Sequence, residues 1–166
     1  LAGRFKGISI KMSKKMPYRP TKSRVRKSIF DKLVPFHYSY VLDLFSGSGI
    51  MGLEASSRGA SFVTFVEKHE KSLSLMKENS LKFHGVDYSF IKMDVFSFLK
   101  EARSFDLVFA DPPYGRFDLK TLVETIFERL NKNGKLILEC EKSQAPFLDA
   151  DVTDYGNTRI LTWTNL

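Results

Sequence analysis

The chain has 166 residues, 43% of them hydrophobic, with 15 Phe and a formal net charge of +7. That length and apolar content describe one folded domain with a full core and exclude a disordered or collagen-like chain. No apolar run approaches the ~18 residues that a membrane span needs, no signal-peptide pattern is present, and the single Cys140 has no partner for an internal disulfide, so a cytoplasmic setting is expected. The sequence opens on Leu1 and not Met, so residues ahead of it are expected.

Charge is unevenly placed. Residues 1–40 carry eleven Lys and Arg against Asp31 alone, whereas residues 41–166 carry 15 basic and 18 acidic groups. A basic arm on a mildly acidic body is the footprint of a polyanion binder. Arg4 to Ile10 alternates weakly and predicts a short strand. A loop with Lys14, Lys15, Arg19 and two prolines follows. Thr21 suits the N-cap of a helix through about Val34, with Val25, Ile29, Phe30 and Leu33 as its apolar stripe and Arg24, Arg26 and Lys27 on other faces. The boundary between this extension (1–39) and the body (40–166) falls near residue 39.

The body alternates strand and helix. Strands are predicted at Tyr40–Phe45, Ser61–Glu67, Tyr88–Lys92, Phe105–Ala110 and Gly134–Cys140, and helices at Ile50–Arg58, Glu70–Phe83, Val95–Ala102 and Leu119–Asn131. Two further strands, Ala150–Asp154 and Arg159–Trp163, flank the turn Tyr155-Gly-Asn157 and predict a hairpin with one antiparallel strand. The βαβα order predicts a doubly wound α/β sheet. His37, His69 and His84 lack ligand spacing, so no metal site is expected.

Two stretches carry chemistry. Gly47-x-Gly49-x-x-Gly52 lies between a predicted strand and helix, where Gly47 permits a tight turn, Gly49 lets a ligand approach the backbone and Gly52 allows close packing. Glu67 ends the next strand, placed to bind ribose hydroxyls, and Asp94 ends the third, placed for an adenine amino group or for a helix N-cap. Phe45, Ser48 and Val95 stand in the same cofactor-facing stretches. Asp43 ahead of the glycine turn repels phosphate and favours a cationic ligand, which tilts the cofactor from NAD to S-adenosylmethionine; the same carboxylate also suits a turn cap. The second stretch, Asp111-Pro112-Pro113-Tyr114, follows the apolar strand 105–110. The prolines stop the strand, so a carboxylate, a carbonyl acceptor and an aromatic face project from its carboxyl end. That set suits a planar base bearing an exocyclic amine, although Asp-Pro-Pro alone is common in loops.

At these residues the chain resembles the bacterial guanine-N2 methyltransferases of 16S ribosomal RNA. The resemblance covers Ala2-Gly-Arg-Phe-Lys-Gly7, Arg19-Pro-Thr21 with Arg24-Val-Arg26, Leu42-Asp-Leu-Phe-Ser-Gly-Ser-Gly49, Gly52-Leu-Glu-Ala55, Asp111-Pro-Pro-Tyr114 and Tyr155-Gly-Asn-Thr-Arg159. It implies a Rossmann-like S-adenosylmethionine-dependent methyltransferase with a seven-stranded, mostly parallel sheet. By it, Asp43, Phe45, Gly47, Ser48, Gly49, Glu67, Asp94 and Val95 hold the cofactor, and Asp111 to Tyr114 hold the guanine. The basic set of Arg4, Lys14, Lys15, Arg19, Thr21, Arg24, Arg26 and Lys27 meets RNA, in a small-subunit particle or naked. Gly115-Arg-Phe-Asp118 is short, implying a small lid, and the N-terminal strand is incomplete. A monomer is expected. The alternatives are a DNA adenine-N6 methyltransferase, for which a target-recognition domain is lacking, and a non-catalytic RNA-binding factor on the same scaffold. A nicotinamide-dependent oxidoreductase stands behind both, since no hydride-transfer constellation is present.

Overall fold

The computed structural model describes residues 1–13 and 23–166. A 3₁₀ turn at Gly3–Phe5 and helix α1 (Ser23–Lys32) precede the body. Then follow β1 (Tyr40–Leu44), α2 (Ile50–Arg58), β2 (Phe62–Val66), α3 (Glu70–Ser80), β3 (Asp87–Ile91), α4 (Val95–Glu101), β4 (Phe105–Ala110) and α5 (Leu119–Phe127). The long β5 (Leu130–Glu141) and the hairpin β6 (Asp151–Tyr155) and β7 (Thr158–Thr164) complete the chain. One seven-stranded sheet results, in the order β3-β2-β1-β4-β5-β7-β6. Only β7 runs against the rest, pairing antiparallel with β5 and β6.

Strand periodicity sorts the core into two layers. Val41, Phe65, Phe109 and Ile137 face one side with Val25, Ile29, Phe30 and Leu33 of the α1 region and Leu53 of α2. Leu42, Leu44, Val108, Leu136 and Leu138 face the other, against Leu122, Val123 and Ile126 of α5. Neighbouring residues of one strand thus enter opposite layers. The apolar stripe expected on α1 is the face it buries. Cys140 is a small core residue, and Trp163 is buried with its indole N–H donating to the Leu148 carbonyl at 2.9 Å.

The strand order reverses between β1 and β4, the place where open α/β sheets leave a crevice at their carboxyl ends. Crossovers leave β1 and β4 toward opposite ends of the sheet.

Three expectations differ from the structure. Residues 4–10 form no strand: Gly3 and Gly7 take left-handed φ of 79° and 89°, and the Phe5 and Lys11 N–H groups go to Ser57 Oγ and Asn79 Oδ1 instead of a neighbouring strand. The helix expected over 119–131 stops at Phe127, because the buried start of β4 needs an acceptor: Phe105 N–H donates to the Arg129 carbonyl at 2.8 Å, drawing Leu130 into β5. The helix expected to reach Phe83 ends at Ser80. The expected Thr21 cap lies outside the described residues. The hairpin is as expected, with Tyr155 paired to Thr158 and Gly156 at φ 60°.

Gly52 sits where α2 crosses β2. An added Cβ would meet the Phe65 ring and, at 2.9 Å, Val63 Cγ1, both fully buried. Gly52→Ala is therefore expected to destabilise the fold by roughly 1–3 kcal/mol through overpacking, read as a lower midpoint in chemical denaturation.

Candidate active site

Sheet register places four carboxylates in a row. Asp43 pairs with Phe65 of β2 and Phe109 of β4, and Ala110 pairs with Leu44 and Leu138. Glu67, Asp111 and Glu139 each lie two residues beyond Phe65, Phe109 and Ile137, which share one core layer with Val41. Alternation therefore sends Asp43, Glu67, Asp111 and Glu139 to the same side at the carboxyl ends of four adjacent strands. All four line one cavity of about 550 Å³, a volume within the usual range for small-molecule sites.

One half of the cavity is the glycine turn. Its N–H groups are taken up internally. Gly47 donates to Glu67 Oε2 at 2.8 Å, Gly49 to the Ser46 carbonyl at 2.7 Å, and Gly52 to Asp43 Oδ2 at 2.9 Å. Glu67 Oε1 also accepts from Lys68 and His69 N–H at the start of α3. Gly47 turns at φ 52°, and Phe45 takes φ 56°, a strained value for an aromatic residue held where the chain leaves β1. Asp43 is fully enclosed, and burial pushes its carboxyl well above the ordinary range, with the charges of Asp111 and Glu67 adding to the rise against the Gly52 hydrogen bond.

Asp43, Phe45, Gly47, Ser48, Glu67 and Val95 of the expected cofactor set line this cavity, and Gly49 and Asp94 do not. Gly49 backs onto the core: it takes φ 72°, and an added Cβ would meet Met76 of α3 at 2.6 Å, so backbone conformation and packing both require glycine here. Asp94 is the N-cap of α4, its Oδ1 accepting from Phe96 and Ser97 N–H at 3.0 and 3.2 Å, and its Oδ2 lies 3.2 Å from Lys68 Nζ.

The other half is the tetrad. Asp111, Pro112, Pro113 and Tyr114 all line the cavity, with Tyr114 half-exposed at its mouth. Burial, aided by the charge of Glu139, raises the Asp111 carboxyl to about 8. The Tyr114 hydroxyl is raised too, by burial and then by the charges of Glu139 and Asp111, while a hydrogen bond with Thr158 of β7 works the other way. Phe117, in the short stretch after Tyr114, meets Phe45 edge-on at 5.0 Å and lies 6.1 Å from Phe96, forming an aromatic wall.

Glu139, Phe117, Thr158, His69 and Val25 were not expected at the site, yet all line the cavity. Phe117 and Thr158 lie in stretches that the sequence marked for other reasons, whereas Glu139 is brought in by strand register alone.

Of the expected RNA-contacting residues, Arg24 is exposed on α1, and Lys27 is exposed beside Asp31 at 2.6 Å. Arg26 instead turns inward to Glu54 of α2 at 3.5 Å, and Arg4 lies over the Phe5 ring with Nε donating to the Ser56 carbonyl. Lys14, Lys15, Arg19 and Thr21 lie outside the described residues. Val25 of α1 reaches the cavity, so the basic helix borders the tetrad. Among the described residues no three His, Cys, Asp or Glu side chains converge as metal ligands, and no helix is long and apolar enough to cross a membrane.

Two amides of the glycine turn, those of Gly47 and Gly52, are already bonded to carboxylates, and the acids around the turn repel a phosphate. A cationic adenosine derivative without phosphates fits the acidic row, and S-adenosyl-L-methionine has that chemistry. The fold and cavity are those of a Rossmann-like S-adenosylmethionine-dependent methyltransferase. The solved structure of a putative methylase from Haemophilus influenzae superposes with a TM-score of 0.73 at 31% identity, over 86% of this chain and 97% of that one. Residues 1–160 match the family model described as conserved hypothetical protein 95. Ribosomal RNA small subunit methyltransferase D of Haemophilus influenzae is 34% identical over 87% of this chain and 79% of its own length, and that of Buchnera aphidicola is 30% identical over 93% and 84%. The chain belongs to this methyltransferase family.

The raised Asp111 carboxyl makes stability depend on pH. Between its ordinary value near 3.8 and about 8, the folded state holds a proton that the unfolded chain releases, so the stabilising share of Asp111 is lost as pH rises through that window. Asp111→Asn removes this loss. Its melting temperature is expected to gain on that of the original protein from pH 5 to pH 8 and then level off, as read by thermal melts across that range.

Proposed function

We propose that this protein transfers a methyl group from S-adenosyl-L-methionine to the exocyclic N2 of a guanine in 16S ribosomal RNA. The observation that carries the reading is the Asp-Pro-Pro-Tyr tetrad opening into the same cavity as the acidic glycine turn. The cofactor, when bound, would supply an electrophilic methyl on a sulfonium, the C–S electron pair staying on sulfur as the N2–C bond forms. Asp43 and Glu67 would favour its positive charge, Glu67 would meet the ribose hydroxyls, and Met93 and Val95 would flank the adenine.

The target guanine leaves its stack, at a cost of a few kcal/mol unless it is already unpaired. Tyr114 stacks on the extruded base. Asp111 and the Pro112 carbonyl accept the two N2 hydrogens, aiming the lone pair at the methyl and stabilising the positive charge that develops on N2. One N2 proton then leaves, and the high proton affinity of Asp111 suits it as the acceptor before release to water. Residues 1–39 form the RNA-contacting arm and residues 40–166 the catalytic body. Names of the relatives support a ribosomal RNA substrate, and the basic arm supports contact with RNA inside the small-subunit particle.

Labelled S-adenosylmethionine offered with unmodified 30S particles, naked 16S rRNA and DNA, followed by nucleoside analysis, tests this. N2-methylguanosine from either RNA is expected; N6-methyladenine in DNA overturns the reading in favour of a DNA methyltransferase. Absence of S-adenosylmethionine binding, with RNA binding retained, overturns it in favour of a non-catalytic RNA-binding factor. Asp111→Ala should lose roughly 10²–10³ in kcat with the cofactor Kd nearly unchanged. The arm has a separate test. Arg24→Gln with Lys27→Gln should weaken RNA binding and flatten its salt slope by roughly 0.7–0.9 per charge, whereas Arg26→Gln should lower the melting temperature first, because its charge faces Glu54.

A further inference from the structure

The row of acids contains one member that the proposed chemistry leaves unused. Glu139 lies near the carboxyl end of β5 directly beside Asp111, since Ala110 pairs with Leu138 one residue earlier on each strand. Adjacent strands lie about 4.8 Å apart, so the two carboxyl groups stand side by side on one face. A second, smaller hollow of about 210 Å³ shares Pro112, Pro113, Tyr114 and Phe117 with the main cavity, and Glu139 lines both. It therefore stands at the seam where the tetrad divides them, which is where the base is held.

A carboxylate in that place is not needed to hold the amine, and its charge, after burial, disfavours the ionised form of Asp111. The position makes sense through what Glu139 offers the ligand. Guanine presents two donors side by side, N1–H and N2–H, whereas adenine presents an amine beside an unprotonated N1 that carries a lone pair. One carboxylate can recognise an exocyclic amine on either purine. Two adjacent carboxylates complement guanine and place a negative charge against the adenine N1 lone pair.

Resting on the guanine-N2 reading above, we propose that Glu139 selects the base, accepting the N1–H of guanine while Asp111 holds N2. The bond is charge-assisted in a partly buried site, the setting in which a missing donor on the substrate is most heavily penalised. Base choice then lies in β5, while the Asp-Pro-Pro-Tyr tetrad supplies amine recognition common to both purines.

The probe is 2-aminopurine, which keeps the N2 amine but has an unprotonated N1. Once the methylated position is mapped with the original enzyme, 16S rRNA is ligated with guanine or 2-aminopurine at that position. The original enzyme should prefer guanine by at least about 100-fold in kcat/KM. Glu139→Gln, whose amide can either accept or donate, should bring the ratio to within about tenfold, by losing guanine turnover and gaining 2-aminopurine turnover. Its cofactor Kd, measured by calorimetry, should stay within about twofold, which a disturbed fold would not allow. A ratio unchanged in Glu139→Gln overturns the assignment while leaving the guanine-N2 reading in place. N6-methyladenine as the product of the original enzyme removes both.

Discussion

Asp43 and Glu67 bind the glycine turn before any ligand does. Each carboxylate takes an amide that a phosphate-binding turn would keep free, Asp43 from Gly52 and Glu67 from Gly47. The consequences are structural and chemical together. Glu67 joins the end of β2 to the turn after β1 and, through Lys68 and His69 N–H, to the start of α3. Two strands and two helix starts are thereby fixed around one hollow. The same bonds take up two amides that an anion would otherwise use and set carboxylates at the turn, which favours a sulfonium over a dinucleotide.

Electrostatics divide this molecule into an inside and an outside. Acids gather at the strand ends, and Arg24 and Lys27 are exposed on α1, whose Val25 reaches the cavity. On the proposed function, an RNA chain meeting α1 would be held by its phosphates, which the acids of the cavity would repel, so that a neutral base would enter ahead of the backbone.

Much of this was legible in the chain. The two motifs, the strands that carry them and the hairpin could be read because short-range rules set them: glycines at turns, prolines that end a strand, apolar runs with period two. Asp43, Glu67 and Asp111 were found through their distance from those motifs. Glu139 was not, since Ile137-Leu-Glu-Cys140 reads as an ordinary strand, and only register shows that Glu139 stands beside Asp111. Asp94 and Gly49 went the other way. Both sit within the expected stretch, but local demands, a helix cap and the nearness of Met76, decide what they touch. The strand expected over residues 4–10 failed because its partners are side chains on α2 and α3, which no periodicity announces.

Glu54 is a buried carboxylate that accepts from the backbone N–H of Ala2 at 3.1 Å and from Arg58 at 3.0 Å, and it faces Arg26 of α1 at 3.5 Å. It stands on α2, the helix that opens from the glycine turn. The start of the chain, the basic helix and the cofactor turn are thus moored to a single side chain. A protein trimmed ahead of β1 would strand that charge in the interior with one cation left, so α1 is not a detachable module: through Arg26 it is part of the support of the glycine turn's helix.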